Sequence, residues 1–249
     1  MLVAKSHLGD ITFKNHWDEL STEELHWYVD KAVPLLAKAF KEEESDFESK
    51  LAIDDEEAYD TLMYGLLTNC CVDRKKLFKL HGVHADLLLE KGVVSFFFEL
   101  PVFHDELETI LDEMKVGQFA FADMFFRHYK KTPEDSIINL FTASLDSPFD
   151  RLKVEALSKK KAKVPQQEKK LLIQRYDWYI RKLHKKFPFA FQGGGDGESS
   201  DWRESMLQMA KDGPFGDFYA IESDTRFVDY LAEMNRVKKL SKQKPDNEA

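Results

Sequence analysis

Lys185-Lys186-Phe187-Pro188-Phe189-Ala190-Phe191, then Gly193-Gly194-Gly195-Asp196-Gly197-Glu198-Ser199-Ser200, then Asp201-Trp202: this stretch decides how the chain is divided. A basic helical segment closes on an aromatic turn that Pro188 cannot continue as helix, and the glycines that follow read as a hinge. Beyond them Trp202, Met206, Met209 and Ala210 recur at helical spacing, Gly213-Pro214-Phe215-Gly216 interrupts, and Phe227, Leu231 and Met234 resume. The pattern predicts a helical body over residues 1–192, a hinge over 193–200, and a helical appendage over 201–249 with a frayed end. A phosphate-cradling loop would need a strand before the glycines and Lys-Ser/Thr after them. Pro188 precedes this run and Glu198 to Asp201 follow it.

Upstream, helix dominates the pattern. Gly and Pro number 11 and 8 in 249 residues, too few for the frequent turns of an all-β chain. Ser21 and Glu24 form a capping box for a helix carrying Leu25, Val29, Ala32, Val33 and Leu36, with Pro34 marking a kink or boundary. An acidic stretch, Lys41 to Glu48, ends that helix in solvent, and Asp54-Asp55-Glu56-Glu57 opens the next, where its dipole favours carboxylates. Further helices are expected over Asp105–Met114, over Val116–Tyr129 and, with Thr132 as cap and Pro133 first, near Asp135–Leu145. Gly92 to Phe98 has strand composition, although a continuous apolar run is equally loop or helix. Leu2-Val3-Ala4 and Ile11-Thr12-Phe13 around Gly9-Asp10 read as a small hairpin. The fold class is therefore mainly α, with an N-terminal β-hairpin.

Composition limits the function. Hydrophobic residues make up 43% and Phe alone 20 positions, enough for a substantial core. A net charge of −9 opposes a protein that coats nucleic acid over its whole surface. The stretch 151–192 departs from this: it holds 13 Lys and Arg against Glu155, Glu168 and Asp177, so the rest of the chain carries about −19. Lys159, Lys160, Lys161, Lys163, Lys169 and Lys170 could contact phosphates, with Tyr176, Trp178 and Tyr179 nearby to stack on bases. The alternative is a basic face that meets acids of this chain or of a partner. Met1 to His7 lacks the apolar core of a signal peptide and no apolar run is long enough to span a bilayer, so a cytoplasmic protein is expected.

No constellation specifies a reaction. Cys70 and Cys71 adjoin, which suits neither a disulfide nor a spaced metal site, and they read as small core fillers. His81-x-x-His84 has only Asp86 nearby and no set of ligands to complete it, so a loop or capping role is expected. No Gly-x-Ser-x-Gly elbow occurs. The expectation is a non-enzyme with no cofactor and no metal.

Several segments together resemble the tail-assembly-chaperone-like proteins of phages and prophages of Bacteroidetes-type bacteria. Ile11-Thr12-Phe13 with Trp17-Asp18-Glu19-Leu20-Ser21 is similar to their strand followed by W-x-E-L-T. Gly117-Gln118-Phe119-Ala120-Phe121-Ala122-Asp123, with Tyr129, Thr132 and Leu140-Phe141-Thr142-Ala143, resembles their central block. Gln174-Arg175-Tyr176 with Phe187-Pro188-Phe189-Ala190-Phe191 resembles the close of the body, and the Trp202 segment the tethered tail. Asp146 stands where the family pattern A-x-L-Y has tyrosine. The resemblance implies a phage or prophage tail assembly factor that keeps the tape-measure protein soluble while tail-tube subunits polymerise. On that reading Trp202, Met206, Met209, Phe215, Phe227 and Leu231 form a docking face for partners. A structural virion component shares every one of these features, and a nucleic-acid-binding accessory protein acting through residues 151–186 is the reading from another class.

Overall fold

The computed structural model describes residues 1–6, 9–41, 52–79, 93–101, 103–146, 151–191, 202–212 and 214–243. The acidic stretch after Lys41, His81 and His84, the 193–200 hinge and residues 244–249 of the expected frayed end lie outside these residues, whereas residues 238–243, also expected to fray, continue the last helix. The protein is mainly helical with an N-terminal two-stranded antiparallel hairpin. It divides into two compact units, Met1–His104 and Asp105–Ala249.

Unit 1 begins with β1 (Leu2–Ser6) and β2 (Gly9–Phe13), paired from Leu2↔Phe13 to Ser6↔Gly9. Gly9 and Asp10, expected at the turn, belong to β2 instead; Gly9 enters the strand at φ +94°, in the left-handed region that suits glycine. Ile11 and Phe13 point inward and are fully buried, and Phe13 also bridges Cys71. The capping box is present in both directions: Glu24 N–H donates to Ser21 Oγ at 3.3 Å, and Ser21 N–H to Glu24 Oε2 at 2.7 Å. It opens α1 (Thr22–Trp27), which runs through a π-helical turn (Tyr28–Ala32) into α2 (Val33–Ala39). Pro34 sits in the first turn of α2, where its missing N–H falls at the change of helical winding. A two-residue pairing of β3 (Phe40–Lys41) with β4 (Ala52–Ile53) leads to α3 (Glu56–Cys70), N-capped by Asp55, and to α4 (Arg74–Leu77).

Ser95–Phe98 forms a 3-10 turn, not a strand. The reason lies in its carbonyls. Trp17 Nε1 donates to Phe96 O at 3.1 Å and Tyr28 Oη to Phe97 O at 3.0 Å, so side chains take the acceptors that a neighbouring strand would use. The Trp17 ring stands edge-on to Tyr28 and Phe97 at 4.9 and 5.3 Å.

Unit 2 contains α5 (Glu106–Glu113), α6 (Val116–Lys131), α7 (Asp135–Leu145), α8 (Arg151–Lys161), α9 (Gln166–Lys186), α10 (Trp202–Asp212), α11 (Phe218–Asp224) and α12 (Phe227–Gln243). α7 starts later than expected, with Glu134 at its N-cap and Pro133 outside. The division at 192/200 is corrected by the core. Trp202, Met206, Met209, Phe227, Tyr230 and Leu231 are buried together with Phe119, Phe141 and Tyr176, so residues 202–243 complete unit 2 and are no separate appendage. Phe119 stacks on Phe227 with centroids 3.4 Å apart, and Trp202 stands edge-on to both at 5.5 and 5.1 Å. Backbone bonds add a seam: Val116 N–H to Thr225 O at 3.0 Å and Phe227 N–H to Met114 O at 2.8 Å. The apolar stripes on α6 and α9 need a cover, and the stripes on α10 and α12 supply it.

Candidate functional site

The central block of unit 2 holds the residues with the most specific jobs. Gly117 lies in the first turn of α6, where α11 crosses so closely that a Cβ would fall 2.6 Å from Glu222 Cγ and 3.0 Å from the Glu222 carbonyl oxygen. Only glycine fits without a shift of α11. Gln118 Nε2 donates to Ser144 O and Leu145 O at 3.3 and 3.2 Å, closing carbonyls that the end of α7 leaves open. One turn on, Asp123 is a buried acid. Its Oδ2 accepts from Trp202 Nε1 at 3.0 Å and pairs with Arg127 Nε at 2.7 Å. Through Oδ2 this carboxylate fastens α10 to α6.

Around it, Tyr176 is fully buried and its hydroxyl has no partner among the described residues. Burial, with the Asp123 charge nearby, pushes the Tyr176 hydroxyl well above the usual tyrosine range. His184 stacks on Phe191 at 3.7 Å, and desolvation lowers its pKa. These groups sit among packed rings, and the arrangement positions helices.

The aromatic turn that closes α9 is tied to α12. Phe189 and Ala190 N–H groups donate to Asn235 Oδ1 at 2.8 and 3.3 Å, and Lys238 Nζ donates to Ala190 O at 2.9 Å. In unit 1 the two cysteines are free and buried, Cys70 ending α3; burial first, then the neighbouring Cys71, pushes the Cys70 thiol up to about 12. That environment makes an inert filler.

The docking face expected from Trp202, Met206, Met209, Phe227 and Leu231 is corrected: all five are core residues, and Phe215 packs half-buried against them. A helical apolar stripe reads the same whether a partner or the rest of the chain covers it. The expected stacking platform is also corrected, since Tyr176, Trp178 and Tyr179 are buried.

The basic stretch separates into two parts. On α9, Arg175 pairs with Asp105 at 2.7 Å, Lys182 with Glu108 at 2.9 Å, and Tyr179 Oη donates to Asp112 at 3.0 Å, so the acidic face of α5 lies on this half. The Arg175 guanidinium holds the Asp105 carboxyl below its ordinary range. Nearer the α8–α9 junction, Lys161 pairs with Asp146 and the Lys169 side chain is buried. Lys159, Lys160, Lys163 and Lys170 are exposed. Asp146 lies exposed at the C-terminus of α7, so the position where the family pattern has tyrosine here carries an ion pair with α8.

The signal that sequence reasoning missed is Asp123, an acid in phase with Phe119, Ala122 and Phe126 on the buried side of α6. Among the described residues no group of three or more His, Cys, Asp or Glu is placed to hold a metal ion. Among them no helix is long and apolar enough to cross a membrane. Comparison with protein-family models, curated proteins and solved structures finds no match.

Proposed function

We propose that this protein is a non-catalytic assembly factor of phage or prophage tails, acting in the host cytoplasm by binding the tape-measure and tail-tube proteins. One observation carries the reading. The segments that resemble the tail-assembly-chaperone-like proteins are far apart in sequence, yet in unit 2 they serve one core. Gly117 admits α11, Phe119 stacks on Phe227, Asp123 holds Trp202, and the Phe187–Phe191 turn is tied down by α12. The motif residues are thus framework residues. Their polar atoms join helices, as a binding scaffold requires.

Partner contact then falls to the surface. Met124 is exposed on α6 beside the half-buried Phe121 and Phe125, and Val237 and Leu240 are exposed one turn apart on α12. Apolar helix faces of a tape-like protein aggregate unless covered, and such side chains are suited to cover them.

The test is affinity purification of the tagged chain from its host at moderate salt. Recovery of a long helical tape-like protein or of tube subunits is expected, and their partner's absence from mature particles would make it a chaperone and not a virion component. Recovery of nucleic acid alone, lost as salt rises, would overturn the proposal.

A further inference from the structure

We propose that the α8–α9 elbow is a docking surface for an acidic helix of a partner protein. The inference rests on the assembly reading and names the chemistry of one partner. Unit 2 already contains an example of the recognition. α5 presents Asp105, Glu108 and Asp112, spaced by three and four residues, to Arg175, Tyr179 and Lys182 of α9, spaced by four and three. Facing helical faces match at these intervals because residues three and four apart are surface neighbours.

The elbow carries a basic cluster of its own, and no acidic helix pairs with it among the described residues. Lys159 and Lys160 are adjacent in the last turn of α8, and Lys163, in the turn that follows, lies three residues past Lys160, to whose carbonyl its N–H donates at 3.2 Å. All three are exposed and none has an ion pair among the described residues, whereas Lys161 between them is taken by Asp146. The negative end of the α8 dipole accounts for cations in its last turn. It leaves the exposed ammonium groups open to a partner. Half-buried Leu157 and Val164 flank them and offer apolar contact beside the charges.

Nucleic acid fits less well. The rings that would stack on bases are buried, and the elbow carries no arginine for bidentate phosphate contact. Carboxylates on a helix meet the lysines one at a time, as α5 does on α9.

The test uses the full chain and a fluorescein-labelled helical peptide that repeats the Asp105–Glu113 sequence. Fluorescence anisotropy is expected to show binding that weakens about tenfold or more between roughly 50 and 200 mM salt. The K159E/K160E/K163E variant, its fold checked by circular dichroism, is expected to bind about tenfold more weakly or worse, since like charges now face the peptide. Equal binding by wild type and variant, or no binding by wild type, overturns the proposal. So does tighter elbow-dependent binding of a 20-base-pair duplex than of the peptide. The two readings fail separately. Elbow-dependent peptide binding without any tail protein in the purification would sink the assembly reading alone. Tail proteins recovered equally by the triple variant would sink the elbow alone.

Discussion

Unit 1 and unit 2 close their interiors by different means. In unit 1, side-chain donors reach carbonyls far along the chain: Trp17 and Tyr28 secure Phe96 and Phe97, and Asn69 Nδ2 donates to Glu24 O at 3.2 Å. A buried acceptor left without its donor costs on the order of 1–3 kcal/mol, so these bonds choose where each segment lies. In unit 2 most of the closing is done by rings and thioethers brought back by the last helices, with Phe119, Trp202 and Phe227 in mutual contact and the buried Asp123 holding the Trp202 indole. The contrast teaches that unit 2 depends on residues that look dispensable in the sequence.

The strongest way to break the comparison is truncation after Phe191. It strips Trp202, Phe227, Tyr230 and Leu231 from the core, so α6 is expected to lose its hydrogen-exchange protection and unit 2 its cooperative unfolding. Unchanged protection in Val116–Lys131 would restore the appendage. A smaller intervention is Phe227→Ala, which removes the fully buried ring that stacks on Phe119. It is expected to cost about 3–5 kcal/mol in urea unfolding. Gly117→Ala tests the closeness of α11: the added methyl meets Glu222 backbone as well as side chain, and a loss of about 1–3 kcal/mol is expected. A neutral result would mean that α11 can move aside freely. Unit 1 should answer to a polar deletion instead. Tyr28→Phe keeps the ring and leaves the Phe97 carbonyl without its donor, for about 1–2 kcal/mol, seen as faster exchange in the peptides that flank Ser95–Phe98.

What could be read from the sequence, and what could not, follows the same line. The Ser21–Glu24 capping box, the helix opened by Asp54 to Glu57 and the helices around Val116 and Asp135 are governed by residues close in sequence, and all are present in the structure. The hairpin was legible from Gly9-Asp10 between two short apolar runs, but both residues belong to β2, because Gly9 serves equally at a turn or at the start of a strand. Ser95–Phe98 was ambiguous because the bonds that settle it come from Trp17 and Tyr28, nearly seventy or more positions away in the chain. The Trp202 stripe misled for the same reason: its cover is Phe119 and Phe227, and spacing within a helix says nothing of what lies across from it. Asp123, quoted in the central block, had no role there because an acid among apolar residues looks like a surface position until its indole partner is placed.

The smallest effect concerns the charge contact that joins α5 to α9. Asp105 both caps α5, accepting from Glu108 N–H at 3.2 Å, and pairs with Arg175. Asp105→Asn keeps an oxygen for the cap and removes only the charge. Because the Arg175 guanidinium depresses the folded-state pKa below the ordinary 3.8, the unfolded chain takes up this proton first as pH falls. The contribution is therefore fully present above the unfolded value and is lost as pH drops through the lower folded value. Wild type should exceed the variant in urea midpoint near neutral pH and low salt, by less than about 1 kcal/mol, since the carboxylate is largely solvated. The difference should close as pH is taken well below 3.8. A gap that stays constant down to that range would mean that shape and hydrogen bonding, and not charge, hold α5 on α9, which would also remove the precedent for an acidic helix at the elbow.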